Sequence, residues 1–173
     1  ITATQMLDSM IRNPRPTRAE ASDIANAIFD GTDAIMLSGE SANGKYPVQA
    51  AQTMAKIAQT AEKKINYDNL LERKREAHIQ NVPNAISLAT CTTASELNAS
   101  AIITATQSGH TARMVAKYRP ECHIIAVTPS HRVARSLALN WGVYPITAKR
   151  ANSTDELIEN SVNIALKSGY VQK

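Results

Sequence analysis

The first 66 residues alternate between short apolar runs and segments whose apolar residues recur at the spacing of a helix. Residues 1–7 (ITATQML) read as the end of a strand, and residues 33–37 (DAIML) read as a second short strand. Apolar residues at a period of about 3.6 predict a helix after each strand. The buried face of the first helix is predicted to be Ile24, Ala25, Ile28 and Phe29. That of the second helix is predicted to be Val48, Ala51, Met54, Ala55, Ala58 and Ala61.

Signals at the ends of these segments support the same order of elements. Thr17 and Glu20 fit a capping box, in which two side chains satisfy free backbone amides at the start of a helix. Pro47 suits the first turn of the second helix, because its missing N–H costs no hydrogen bond there. Residues 38–46 (SGESANGKY) are predicted to form a loop of small residues. The order strand, helix, strand, helix with short loops predicts parallel β/α units.

The alternation resumes after residues 66–80, a polar and charged segment that is interpreted as a connector. Four further helices are predicted at residues 82–97, 109–118, 131–140 and 153–168. Three further strands are predicted at residues 101–105, 123–128 and 142–148. The first of these helices is expected to bury Ile86, Ala89, Thr90, Ala94 and Leu97. Because no strand follows the last helix, we expect a doubly wound α/β domain without its final strand or strands.

Composition and charge narrow the possible partners. The net charge of +4 could indicate nucleic-acid binding, but the only dense basic run, residues 63–75, also contains Asp68 and Glu72. Tyr67 is the one aromatic residue available there for base stacking, so a solvated helix or linker is the preferred interpretation. No apolar run is long enough to span a bilayer. We therefore expect neither a nucleic-acid partner nor a membrane partner.

The cysteines and histidines give no metal-binding pattern. Cys91 and Cys122 lack CxxC or zinc-ligand spacing, and reduced thiols in a cytoplasmic protein are the simplest interpretation. The four histidines also lack ligand spacing: His78, His110, His123 and His131. No metal site is predicted within this chain.

Residues 39–45 (GESANGK) match the phosphate-binding pattern G-x-x-x-x-G-K between a strand and a helix. That pattern continues with Ser or Thr, whose hydroxyl ligates magnesium. Here Tyr46 and Pro47 follow instead, and no Walker-type acidic strand lies nearby. The sequence therefore argues against a nucleotide-binding loop at this place.

The turn after the strand at residues 101–105 is a second candidate phosphate site. Thr106, Ser108 and Thr111 supply hydroxyl groups, and Gly109 permits close approach of the backbone to a ligand. A helix that starts there would point free amides and its positive end at the same place. The alternative is that Ser108 or Thr111 only caps the helix. The residues alone leave both interpretations open.

Four stretches of the chain resemble pyruvate kinase of the bacterial type: ATQMLDSM, NPRPTRAEASDIANAIFDGTDAIMLSGESANGKYPVQA, TQSGHTARMVAKYRP and WGVYPI. The PRPTRAE and IMLSGE motifs are highly specific to that family. The resemblance implies an α/β fold in which residues 1–66 are the last two units of a β/α barrel. It implies that residues 67–80 are a connector. Residues 81–173 would be a doubly wound regulatory domain, truncated before its last strand or strands.

The resemblance also implies roles for individual residues. Thr4 corresponds to a threonine beside the bound substrate. Ser38 and Glu40 correspond to positions close to that site that are sometimes linked to proton delivery, at the carboxyl end of a barrel strand. Arg18 corresponds to a segment at a subunit interface of the family tetramer. The loop that holds a phosphate of the allosteric activator corresponds to Thr106, Gln107, Ser108, Gly109, His110 and Thr111.

The family reaction moves a phosphoryl group from phosphoenolpyruvate to ADP and gives pyruvate and ATP in glycolysis, with Mg²⁺ and K⁺ as cofactors. In the family, the ligands of these ions and the key lysine lie on earlier barrel strands, outside this chain. We therefore expect an inactive fragment that keeps one wall of the active site and a domain for a phosphorylated sugar or nucleotide effector. The alternative is a stand-alone α/β module that binds phosphorylated metabolites without catalysis.

Overall fold

A computed structural model describes residues 1–77, 80–151 and 153–171. The chain divides into two compact units, Ile1–Ile65 and Asn66–Lys173, which are described separately below. His78 lies outside the described residues.

The first unit consists of helices packed beside two short parallel segments. Its elements are a 3-10 helix at Asp8–Ile11, α1 at Arg18–Phe29, α2 at Gly39–Ala42 and α3 at Pro47–Glu62. Helices α1 and α3 pack against each other, and the small Ala27 and Ala50 lie buried in their shared core. Met6, Leu7 and Met10 complete that core from the segment at and before the 3-10 helix. Burial of these side chains holds the unit together.

Both predicted helices of the first unit are confirmed, and so is the capping box. Thr17 accepts a hydrogen bond from the Glu20 backbone N–H, and the Glu20 carboxylate accepts one from the Thr17 backbone N–H. The predicted strands are reduced to one parallel bridge between Thr2 and Ile35. The pairing is short because the chain turns sharply at Thr4, where φ is 82°. The predicted loop at residues 38–46 contains α2.

Part of the predicted apolar face in the first unit is wrong. Ala27 and Ala50 are buried although they were not predicted to be. The predicted residues that are instead exposed are Phe29, Val48, Ala51 and Ala55. The buried side of each helix follows its contact with the other helix, and small residues allow the two backbones to approach closely. Ile24, Ile28, Met54 and Ala61 are buried as predicted.

The second unit is an α/β fold around a parallel sheet. Its elements are α4 at Tyr67–Glu76, α5 at Val82–Glu96, β1 at Ala101–Ala105, α6 at His110–Ala116, β2 at His123–Thr128, α7 at His131–Leu137, β3 at Val143–Thr147 and α8 at Thr154–Lys167. The strand order is β1-β2-β3, and in its register Ile103 pairs with Ile125, which pairs with Tyr144. All three strands and the helices between them were predicted within a few residues.

Helices cover both faces of this sheet. Side chains of α5, α6 and α7 form a core on one face with Ile102, Ile124 and Val143. On the other face, Ala165 of α8 packs with Ile125 and Val127. Burial on both faces explains the nearly continuous apolar run of β2. Among the described strands the order is sequential, so no reversal of strand order marks a ligand site there.

The segment predicted to be a connector contains α4. Asn66 caps this helix by accepting a hydrogen bond from the Asn69 backbone N–H. Leu71 packs against the core of the second unit, so the segment is attached to that unit by its own apolar contact. The composition alone suggested a solvated helix or a linker, and the helix is what the structure shows.

Most of the predicted buried face of α5 is wrong, although Ala94 is buried as predicted. Ile86 is 62% exposed and Leu97 is 73% exposed, and Ala89 is exposed as well. The residues that face the core are small or polar: Asn84, Ser87, Cys91 and Ala94. Asn84 faces inward because its side-chain oxygen accepts hydrogen bonds from Lys117 Nζ (2.9 Å) and the Tyr118 hydroxyl (3.2 Å).

Candidate functional site

The first unit holds a strained turn at the start of the chain. Thr4 and Gln5 have φ values of 82° and 54°, in the left-handed region that non-glycine residues rarely adopt. Thr4 is β-branched, which makes this conformation especially unfavourable for it. Its side chain is exposed to solvent. Such outliers cluster at functional sites, so the turn itself is a reason to examine Thr4.

Glu40 is buried in the same unit, with a relative exposure of 2%. Its Oε1 accepts a hydrogen bond from the Leu7 backbone N–H at 3.0 Å, and its Oε2 accepts one from the Ser38 N–H at 2.8 Å. Burial by itself raises the pKa of Glu40. The backbone N–H groups of Glu40 itself, Leu7 and Ser38 outweigh burial and bring the pKa below its ordinary value. Glu40 is therefore an ionised acceptor rather than a reservoir of protons.

Ser38 and Glu40 lie in one short segment joined by a hydrogen bond from the Ser38 N–H to Glu40 Oε2. Ser38 is exposed and lies immediately before α2, whose first turn contains Glu40. Glu40 also connects this segment to Leu7, three residues beyond Thr4. The two predicted active-site segments are thus joined through one carboxylate. Arg18, the predicted interface residue, is exposed at the first position of α1.

Glu20 contributes a contact that the sequence did not indicate. Its carboxylate accepts hydrogen bonds from the Ser9 backbone N–H at 2.7 Å and from the Ser9 hydroxyl at 2.6 Å. Burial raises the pKa of Glu20, but the bonds from Ser9 and Thr17 outweigh it and lower the pKa. The capping box was the only sequence signal for this residue. That signal placed Glu20 at a helix start without showing its contact with Ser9.

In the GESANGK segment, close packing explains why residue 44 is a glycine, without any need for a bound phosphate. A Cβ added at Gly44 would lie 2.4 Å from the carbonyl oxygen of Glu40. The neighbouring Lys45 donates its backbone N–H to Ile11 O at 2.8 Å. Close backbone packing therefore requires glycine at position 44.

The second candidate site is the turn between β1 and α6. The buried Thr106 accepts a hydrogen bond from the Gly109 backbone N–H at 2.9 Å through its Oγ1. Gly109 has a φ of 81° and is the residue before α6. Ser108 Oγ accepts a longer bond, 3.4 Å, from the His110 N–H. Thr106 and Ser108 therefore shape the turn through bonds to backbone N–H groups. Gly109 is the N-cap residue of α6, and no side chain makes a cap hydrogen bond there.

The exposed side chains of this turn remain available at its surface. Gln107, His110 and Thr111 are exposed. Arg113, which the sequence analysis did not single out, donates from Nη2 to the Ser108 carbonyl oxygen at 2.7 Å. Its guanidinium therefore adds positive charge directly beside the turn.

A cavity of about 340 Å³ opens at the carboxyl ends of the three strands. Gln107, Thr128, Lys149, Arg150 and Ser161 are among the residues that line it. The Ser161 hydroxyl is buried, with a side chain 3% exposed, and has no hydrogen-bond partner among the described residues. A buried polar group without a partner is costly, and a bound ligand would satisfy it. Sequence alone could not single out Ser161, because its burial beside this cavity results from tertiary packing.

Cys91 and Cys122 line a separate cavity of about 420 Å³, where β2 begins. Neither forms a disulfide. Burial raises the pKa of Cys91 to about 12, and burial also raises the pKa of Cys122. Both thiols are therefore protonated near neutral pH and poorly suited to nucleophilic chemistry.

Comparison with known proteins decides the family. The model of the pyruvate kinase α/β domain matches residues 84–173, and that of the pyruvate kinase barrel domain matches residues 1–51. The chain belongs to the pyruvate kinase family. It is 68% identical over 173 residues to pyruvate kinase of Clostridium acetobutylicum, covering 100% of this chain and 37% of that protein. It is 53% identical over 172 residues to pyruvate kinase of Bacillus licheniformis, covering 99% and 29%.

A solved structure agrees with the pyruvate kinase assignment. The crystal structure of a pyruvate kinase from Cryptosporidium parvum matches with a TM-score of 0.93 at 40% identity, over 99% of this chain and 35% of that one. The chain thus spans about a third of the length of these pyruvate kinases. The α/β fold with a parallel sheet is confirmed by these matches.

The described residues were also compared with the requirements of a metal-ligand cluster and of a membrane-spanning helix. Within residues 1–77, 80–151 and 153–171, no three His, Cys, Asp or Glu side chains come together in an arrangement that could hold a metal ion. In the same ranges, no helix combines the length and apolar character needed to cross a bilayer.

Proposed function

We propose that the complete gene product containing this chain transfers a phosphoryl group from phosphoenolpyruvate to ADP, giving pyruvate and ATP in glycolysis. The observation that carries this proposal is the 68% identity to a pyruvate kinase across all 173 residues. We infer that the first unit is the last part of a β/α barrel and that the second is a doubly wound regulatory domain. A cytoplasmic homotetramer with Arg18 at a subunit interface completes the proposal.

In this proposal the first unit forms one wall of the active site. Thr4 and Ser38 supply exposed hydroxyl groups near the substrate, and Glu40 accepts hydrogen bonds from the backbone N–H groups of Leu7 and Ser38. Mg²⁺ and K⁺ supply charge stabilisation to the phosphoryl transfer when they are bound. The ligands of these ions would come from other parts of the gene product, as the family resemblance implies.

We propose that the second unit binds a phosphorylated sugar or nucleotide at the carboxyl ends of its strands. The support is a cavity lined by Gln107, Lys149, Arg150 and Ser161, whose hydroxyl has no partner among the described residues. His110 and Thr111 are exposed on the turn that contains Gln107. Cationic side chains and side-chain hydroxyl groups donate hydrogen bonds to phosphate oxygens. This cavity also favours the second candidate function, a module that binds phosphorylated metabolites without catalysis.

Phosphoryl transfer is tested by ATP formation from phosphoenolpyruvate and ADP with Mg²⁺ and K⁺ present. We expect turnover by the complete gene product and none by the 173-residue chain alone, because the family resemblance places the ligands of both ions outside this chain. The same protein without phosphoenolpyruvate is the control for contaminating activity. Absence of turnover by the complete gene product would leave the metabolite-binding module as the better account.

Effector binding is tested by NMR titration of the chain with fructose bisphosphate and, separately, AMP. We expect the amide signals of residues 106–111 and of Ser161 to shift with at least one of them. Inorganic sulfate distinguishes general anion binding from recognition of the whole metabolite. Unshifted signals with every ligand would contradict a binding site in this cavity.

A further inference from the structure

The turn that contains Thr4 is held between two fixed points. Before it, the Thr2 N–H donates to Ala34 O at 2.9 Å, and the Met36 N–H donates to Thr2 O at 3.0 Å. After it, the buried Leu7 donates its N–H to Glu40 Oε1 at 3.0 Å. Thr4 and Gln5, both at positive φ, lie between these points. Two consecutive strained residues persist only where their surroundings fix the backbone on both sides.

The carboxylate at the second fixed point is itself immobilised. Glu40 is buried in the first turn of α2, and its other oxygen accepts the Ser38 N–H at 2.8 Å. Behind it, Gly44 packs so closely on the Glu40 carbonyl that a Cβ would not fit. One side chain therefore sets the position of the Ser38 backbone and of the segment that follows Thr4.

We propose that Glu40 is a positioning residue of the active site, which holds Thr4 in its strained conformation and in register with Ser38. This inference rests on the proposed phosphotransferase function. It replaces proton delivery, the role that the family resemblance suggests for this position. Both oxygens accept hydrogen bonds from backbone N–H groups, so the ionised form is the one that the site stabilises. A carboxylate in that state has no proton to give.

Neighbouring charge does not change this assignment. Glu20, on α1, is the charged group that acts on Glu40 and raises its pKa, but the backbone donors outweigh it. Glu20 also fixes Ser9, just beyond Leu7, through two hydrogen bonds. Together the two carboxylates fix the segment that follows the strained turn.

The test compares Glu40→Gln with wild type in the complete gene product. The amide keeps one acceptor oxygen and places an NH₂ group against the other backbone donor, so the turn loses one of its attachments. We expect kcat to fall by about 10- to 100-fold, because small misplacement of reacting groups is costly. The KM for phosphoenolpyruvate should change by less than about threefold, since the uniform binding energy is retained. The acidic limb of the kcat profile should stay at the same pH.

A second substitution separates positioning from chemistry. Glycine adopts positive φ readily, so Gln5→Gly lowers the cost of the strained turn. If Glu40 acts by holding the turn, Gln5→Gly in the Glu40→Gln background should restore about a third or more of the lost kcat on a logarithmic scale. If Glu40 acts as an acid, the same change should restore nothing. Should Glu40→Gln fail to fold, Glu40→Asp with and without Gln5→Gly gives the same comparison.

Glu62→Gln, an exposed glutamate at the end of α3, should leave kcat unchanged. A kcat within about twofold of wild type in folded Glu40→Gln, a moved acidic limb or no rescue by Gln5→Gly would each overturn the inference. Wild type without turnover would contradict the proposed function instead, so the two failures are distinguishable.

Discussion

At the residue scale, two carboxylates of the first unit fix the backbone by accepting hydrogen bonds from its N–H groups. Glu40 accepts from Leu7 and Ser38, and Glu20 accepts from Ser9 and Thr17. The family motif identified Glu40 and the capping box identified Glu20. The sequence could not show their contacts with Leu7 and Ser9, because those backbone donors lie 33 and 11 residues away along the chain.

Acid should destabilise the first unit through these two carboxylates. Both pKa values are lowered in the folded protein, so the stability they contribute is present above the ordinary value of 4.5 and is lost as pH falls through the lowered values. At pH 7, Glu40→Gln should reduce the free energy of unfolding by about 1.5–3 kcal/mol, the usual range for hydrogen bonds to a charged group. Urea unfolding at a series of pH values measures this difference. A difference that stays constant down to the most acidic pH would contradict the lowered pKa of Glu40.

The hydroxyl of Ser161 should matter for ligand binding and not for folding. It is buried without a partner among the described residues, so Ser161→Ala removes no hydrogen bond from the ligand-free protein. We expect unchanged or slightly higher thermal stability and an affinity for the phosphorylated effector about tenfold lower, the effect of one hydrogen bond. Thermal unfolding and calorimetric titration with the ligand found by NMR measure the two effects. Equal effector affinity in both proteins would remove Ser161 from the site.

At the element scale, apolar periodicity located the helices better than it oriented them. The bounds of α1, α3 and α5 follow caps and prolines that act locally, so the sequence could predict them. The inward face of α5 depends on α6, which lies on a later part of the chain. Small residues and the hydrogen-bonded Asn84 face the core, whereas Ile86 and Leu97 are exposed. The pattern of apolar residues within the helix does not indicate this orientation.

Loss of the polar Asn84 side chain of α5 should destabilise the protein more than loss of the apolar Ile86 side chain, which is the reverse of what apolarity alone predicts. Asn84→Ala leaves the buried Tyr118 hydroxyl and Lys117 Nζ without their acceptor, and should lower the free energy of unfolding by about 1–3 kcal/mol. Ile86→Ala, on the exposed face, should cost less than about 0.5 kcal/mol. Denaturant unfolding of both variants measures the contrast. A larger loss for Ile86→Ala would mean that the predicted face is covered in solution.

At the scale of the whole molecule, the alternation of strands and helices was enough to predict an α/β chain with a parallel sheet. The three strands of the second unit are long enough to give a clear apolar run. The first unit has only one bridge between two short segments, so its barrel character came from the family motifs. The cavity beside Ser161 could not be predicted, because its walls come from three strand ends and from α8.

The most direct test of the account is the initial rate of ATP formation from phosphoenolpyruvate and ADP by the complete gene product, measured with and without a phosphorylated metabolite that binds residues 106–111. We predict turnover, a lower KM for phosphoenolpyruvate when the metabolite is bound, and a weaker response to that metabolite in Ser161→Ala. Turnover that is absent would contradict the assignment of phosphotransferase activity. Turnover that ignores every metabolite bound at these residues would contradict the regulatory role of the second unit.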